Sequence, residues 1–192
     1  MSNLVLASSS PYRRALIERL GLPFQHAAPD VDETPRVGET PTQLTLRLAL
    51  DKARALADRF TSHLIIGSDQ VLLLDGQPVS KPGDHASARD QLRRCSGRNV
   101  QFTTSLCLLN SATGQYQLTS EPFSVSFREL DDASIERYLE REKPYDCAGS
   151  FKAEGLGISL FRALQGDDPN SLIGLPLIRL CEMLRNEGLQ LP

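Results

Sequence analysis

Short apolar runs alternate along this chain with longer stretches in which apolar residues recur every three or four positions. The runs read as strands and the stretches as amphipathic helices. Residues 4–7 form the first predicted strand, and three serines follow it. Ser10 is a good N-cap and Pro11 suits the first helical position, so a helix is expected over 11–20, stopped by Gly21. A strand is expected near 24–28, then a polar, acidic loop over 29–41, then a long helix over about 42–60. Residues 63–67 read as a short strand ending in Ser68-Asp69-Gln70, with 71–74 extended and Asp75-Gly76 a hairpin turn. Lys81-Pro82-Gly83 is a loop, and Asp84 caps a helix to about Cys95. Two long antiparallel strands are expected over 99–110 and 115–127, joined by the turn 111–114. Leu130-Asp131 opens a helix to about Glu142, the segment 149–157 is Gly-rich and irregular, and 174–186 is a final helix. Alternating helices and strands followed by a long hairpin predict an α/β fold with a mixed central sheet and flanking helices.

Composition narrows the function classes. A chain of 192 residues can form one large domain or two small lobes around a shared core, and 1–192 is taken as a single domain. A net charge of −3 gives no global basic field, so nucleic acid is not an expected partner. No apolar run approaches a membrane span, and no signal-peptide pattern opens the chain. Cys95, Cys107, Cys147 and Cys181 are widely spaced without a CxxC pair, which predicts reduced thiols and a cytoplasmic protein. His26, His63 and His85 make no metal-binding spacing, and no GxSxG elbow is present.

The candidate chemistry begins in the first fourteen residues. Strand, polar turn and helix N-terminus would aim backbone N–H groups, the hydroxyls of Ser8, Ser9 and Ser10, and the guanidinium groups of Arg13 and Arg14 at one spot. Cations in a first helical turn oppose the helix dipole, so the pair suggests a resident anion. Asp69 follows a strand, where α/β proteins gather their ligand sites; it either caps the next element or holds a metal or activates water. Lys52 falls on the apolar face of its helix, with Leu48 and Leu56 one turn to either side. A snorkelling lysine would look the same, but the neighbouring candidates favour phosphate binding. Asp32-Glu33 in the acidic loop, Lys81 before Pro82-Gly83, and Lys152 and Glu154 between glycines complete the set. Taken singly, each of these also fits a solvated loop.

Together these segments resemble the Maf-like nucleotide pyrophosphatases, which share a fold with the inosine triphosphate pyrophosphatases. The resemblance rests on 6–14, Asp32-Glu33, Lys52-Ala53, Gly67-Ser68-Asp69-Gln70, Lys81-Pro82, 149–155 and Gly174-Leu175-Pro176, in family order and spacing. It implies two lobes around a cleft, and hydrolysis of a nucleoside triphosphate to the monophosphate and pyrophosphate with a divalent cation, Mg²⁺ or Mn²⁺. It assigns Asp69 as general base, with Glu33 and Asp69 on the metal and Ser8, Arg13, Lys52 and Lys81 on the triphosphate. Asp69 would either remove the proton of the attacking water or position that water. Tyr12, Gln70 and Glu154 resemble the 7-methyl-GTP pyrophosphatase subgroup. An aromatic face suits the cationic methylated base, and a carboxylate can accept from guanine N1–H and N2–H₂. Lys152 is a further candidate. A homodimer is expected from the family. The alternatives are a broader house-cleaning pyrophosphatase for UTP, dTTP, CTP or modified nucleotides, and a non-catalytic nucleotide-binding regulator of septum formation.

Overall fold

Parallel strands need a crossover between them, and the first third of the chain supplies two. The structure is a computed structural model that describes residues 3–192. In chain order its elements are β1 (Leu4–Ala7), α1 (Pro11–Glu18), β2 (Phe24–Ala27), α2 (Pro41–Arg54), β3 (Leu64–Leu74), β4 (Gln77–Pro78), α3 (His85–Cys95), β5 (Asn99–Asn110), β6 (Tyr116–Phe127), α4 (Asp132–Glu142), two 3₁₀ turns (Ala148–Ser150 and Leu156–Leu160), β7 (Phe161–Gln165), α5 (Pro169–Ile173) and α6 (Leu177–Asn186). The strands order as β2-β1-β3-β5-β6-β7, with β4 paired to β3, giving a mixed sheet of seven strands among the described residues. β1 is parallel to both β2 and β3, while β3–β4 and β6–β7 are antiparallel.

The chain divides into two compact units, residues 1–70, 103–121 and 170–192 against 71–102 and 122–169. In the first, β1 is wholly buried. Leu4, Leu6, Leu64, Ile66, Leu106 and Leu108 pack with Leu16 and Ile17 of α1 and Leu180 and Leu184 of α6. Val5, Ala7 and Ile65 point the other way, against Ala49, Ala53 and Leu56, as the two-residue period of a strand requires. In the second unit, Phe102, Phe127, Phe151 and Phe161 make edge-to-face contacts with ring centroids 5.1–5.7 Å apart. Phe151 thereby anchors the start of the Gly-rich segment.

Several expectations shift. β3 runs unbroken from Leu64 to Leu74, so Ser68, Asp69 and Gln70 lie within a strand rather than after one. α2 ends at Arg54, and 55–59 are turns. The last helix starts at Leu177, with the short α5 before it. β7 and α5 are absent from the sequence reading, because β7 is exposed along four of its five residues and shows no alternation. The Asp75-Gly76 turn is as expected, with φ of 51° and 76°, the pair of left-handed residues that a tight hairpin requires.

Candidate active site

Because β2, β1 and β3 are parallel, the carboxyl ends of β2 and β1 and the middle of β3 share one edge of the first unit. Ligand sites of α/β sheets form at such an edge. β1 hands the chain to Ser8 and α1, β2 hands it to the loop carrying Glu33, and β3 carries Asp69 three residues beyond its last pairing with β1, Leu6 with Ile66.

Helix α2 brings the cation. Gly67 is what lets it: a Cβ there would lie 2.0 Å from the Ala49 carbonyl oxygen and 2.9 Å from the Ala53 nitrogen. The helix backbone therefore rests directly on β3. Asp69 is two residues on from Gly67, on the same face of the strand, and Lys52 is three on from Ala49, nearly one helical turn. This contact sets the ammonium of Lys52 2.7 Å from Asp69 Oδ1. The same Nζ is 2.7 Å from Glu33 Oε1. Lys52 is 7% exposed and Asp69 9% exposed, whereas the Glu33 side chain is 61% exposed. Burial pushes the Asp69 carboxyl above its ordinary range; Lys52 and Arg13 pull it back, and Glu33 adds to the rise. Lys52 is thus no snorkelling lysine, since its charge is held inside by two carboxylates.

Arg13 enters from α1. Its Nε donates to the Gly174 carbonyl at 2.8 Å, and the Ser68 hydroxyl donates to the same oxygen at 2.9 Å. Gly174 takes φ +115°, and a Cβ there would come 3.3 Å from Arg13 Nε. This carbonyl steers the guanidinium, yet only the Gly-Leu-Pro motif hinted at it in the sequence. Burial lowers the Arg13 pKa, with Asp69 and Glu33 opposing. The guanidinium stays charged regardless. Arg14 does not join it: it is exposed and lies 3.9 Å from Glu18.

The serine turn is more self-contained than expected. Ser8 N–H donates to Leu6, Ser10 N–H to the Ser8 hydroxyl at 3.1 Å, and Arg13 N–H to the Ser10 hydroxyl at 3.4 Å. An anion here would be met by side-chain cations and the α1 dipole more than by a row of open N–H groups. Ser8 is buried and Tyr12 half-buried. Gln70 donates its amide to Thr104 Oγ1 and the Ser171 carbonyl, both at 2.8 Å, and to the Leu172 carbonyl at 3.3 Å. Its amide nitrogen is thereby taken up inside the fold.

Lys81, Lys152 and Glu154 belong to the second unit. Lys81 and Glu154 are exposed. Lys152 Nζ donates to the Glu142 carbonyl at 3.2 Å and lies 3.9 Å from its carboxylate, while Lys152 N–H donates to the Tyr138 hydroxyl at 3.0 Å. Glu142 also accepts from Leu156 N–H at 2.8 Å. α4 therefore pins the segment that carries Glu154, and Lys152 is one of the pins.

Among the described residues no group of three or more His, Cys, Asp or Glu side chains comes together as a metal cage. The carboxylates that could hold a cation are Glu33 and Asp69, whose oxygens lie within twice the Lys52 contact distance of each other. Two hard carboxylates, with phosphate oxygens completing the shell, suit Mg²⁺ or Mn²⁺.

The Maf-like protein family model matches residues 3–187. This chain belongs to the Maf-like family. The Maf-like chain is 61% identical over 192 residues to the 7-methyl-GTP pyrophosphatase of Pseudomonas syringae pv. tomato, with all of both chains covered. It is 56% identical to the protein of that name from Pseudomonas aeruginosa, again over the full length of both. Two solved structures share its fold: the Staphylococcus aureus Ham1 protein, at a TM-score of 0.56 and 15% identity, and a HAM1 protein from Coxiella burnetii, at 0.54 and 16%. Each covers 97% of this chain and is itself wholly covered. No helix among the described residues is long and apolar enough to cross a membrane.

Proposed function

We propose that this Maf-like protein hydrolyses 7-methyl-GTP to 7-methyl-GMP and pyrophosphate, with residues 1–192 acting as one functional domain. The observation that carries the reaction is the buried Lys52 ammonium held at 2.7 Å by both Glu33 and Asp69. It joins a cation for a polyphosphate to a carboxylate whose proton affinity burial raises. The full-length identity to proteins named for 7-methyl-GTP supports the substrate.

In this reading Arg13 and Lys52 bind and orient the triphosphate, with Lys81 and Ser8 as further phosphate ligands. Asp69 orients the attacking water and accepts its proton as the water adds to the α-phosphorus. The β,γ-pyrophosphate leaves, and Lys52 offsets its growing charge. Glu33 and Asp69 would hold a divalent cation, which neutralises phosphate charge and polarises the phosphorus when bound. Tyr12 supplies an aromatic face to the cationic base. Glu154 accepts from the guanine N1–H and N2–H₂, and the Gln70 oxygen accepts from a remaining donor. The reading includes a cytoplasmic location, which four cysteines in no disulfide support, and a homodimer.

The test is pyrophosphate release from 7-methyl-GTP, GTP, UTP, dTTP, CTP and ITP with Mg²⁺ or Mn²⁺. A preference for 7-methyl-GTP in kcat/KM is expected. A preference for UTP or dTTP would keep the reaction and overturn the base assignment.

A further inference from the structure

The loop that presents Glu33 is held by a residue on the helix that presents Lys52. Arg47 of α2 donates through Nε to Glu39 Oε1 at 2.7 Å and through Nη2 to Glu39 Oε2 at 2.9 Å. The same Nη2 donates to the Thr34 carbonyl at 3.1 Å, the residue next to Glu33. Asp51 approaches the other guanidinium nitrogen at 3.5 Å. The Glu39 carboxylate also takes the Arg36 N–H at 2.9 Å, closing the turn between them. The Arg47 and Glu39 side chains are only 14% and 8% exposed. A bidentate, largely covered guanidinium–carboxylate pair is rigid in a way that a surface ion pair is not. Beyond it, Thr40 and Gln43 form a reciprocal capping box that fixes the start of α2. On the other side of Glu33, Asp32 accepts from Thr34 N–H at 2.9 Å. Glu33 is thus an exposed side chain on a loop turned by Asp32 and tied to α2 at Thr34.

We propose that Arg47 is a positioning residue: by clamping Glu39 and the Thr34 carbonyl it holds Glu33 against Lys52 beside Asp69, and so sets the affinity of the site for its divalent cation. This rests on the reading of Glu33 and Asp69 as the cation's carboxylates. Arg47 itself touches neither of them. Its removal leaves the chemistry intact and loosens one ligand.

The experiment is a Mn²⁺ titration, followed by the electron paramagnetic resonance of free Mn²⁺, in the presence of the α,β-methylene analogue of 7-methyl-GTP. Wild type, Arg47→Gln, Glu33→Gln and the double variant are compared. Arg47→Gln is expected to weaken Mn²⁺ about tenfold, the lower end of the loss when a residue supporting a metal ligand is removed. Its kcat at saturating Mn²⁺ stays near wild type. In the Glu33→Gln background the same change has no further effect on Mn²⁺ affinity, because the ligand it positions is gone. Wild-type affinity in Arg47→Gln, or an equal fractional loss in both backgrounds, would overturn the proposal. If Arg47→Gln fails to fold, Glu39→Gln opens the same clamp and is read by the same titration. Coupling without pyrophosphate release from wild type would leave the clamp standing and overturn the hydrolase reading. Release without coupling would overturn the clamp alone. A wild type that binds no Mn²⁺ would overturn the clamp together with the metal reading.

Discussion

Lys52 and Asp69 meet at 2.7 Å because nothing but hydrogen stands on the Cα of Gly67, where helix α2 lies against strand β3. Adding a methyl group there would place it 2.0 Å from the Ala49 carbonyl oxygen, which is backbone and cannot swing aside. Gly67→Ala is expected to destabilise the fold by about 1–3 kcal/mol or more. It should also lower turnover by parting the two charges. Urea unfolding monitored beside activity checks both, and a variant with wild-type stability and turnover would remove the role assigned to this contact.

The raised carboxyl of Asp69 has a pH consequence. As the base, Asp69 must be ionised, so the acidic limb of kcat/KM should lie above the ordinary carboxylate value of 3.8. Lys52 lowers this carboxyl, so Lys52→Gln should move that limb to higher pH as well as weaken substrate binding. A limb that stays put in Lys52→Gln would contradict the coupling.

The same shift affects stability. Between 3.8 and its raised value, Asp69 holds more proton in the folded chain than in the unfolded one. Its contribution to stability is therefore present below that window and falls as pH rises through it. Asp69→Asn removes the cost of ionising a buried group and should stabilise the chain at neutral pH relative to acid. Parallel stability–pH curves for wild type and variant across that window would show otherwise.

In the proposed function Tyr12, Glu154 and the oxygen of Gln70 would read the base. Tyr12→Ala with Glu154→Gln should erode the ratio of kcat/KM for 7-methyl-GTP over UTP. An unchanged ratio would place base reading elsewhere.

Much of this was legible in the sequence where periodicity or punctuation was strong. Lys52 stood out because it falls on the apolar face of its helix with other candidate residues around it in the sequence. β1, the Ser10 cap and the Asp84-capped helix followed from local rules. The break expected at Ser68-Asp69-Gln70 was absent because tertiary bonds satisfy those polar side chains inside the strand: Ser68 on Gly174, Asp69 on Lys52, and Gln70 on Thr104 and Ser171. Such partners lie up to 106 positions away, and no local pattern announces them. The role of the Gly174 carbonyl and the whole of Arg47 were missed for the same reason. Arg47 looks like any surface arginine on a helix until Glu39 and Thr34 are seen around it. Arg14 shows the converse, since two adjacent arginines on a helix point 100° apart and only one turns inward.

In the proposed reaction Asp69 drives cleavage between the α- and β-phosphates of 7-methyl-GTP. The most direct measurement is the identity and rate of product formation by wild type and Asp69→Asn, the variant first shown to be folded. Wild type should release 7-methyl-GMP and pyrophosphate in equal amounts, and Asp69→Asn should be slower by roughly 10²–10⁴-fold. Release of 7-methyl-GDP and phosphate, or near-wild-type turnover by folded Asp69→Asn, would contradict the account.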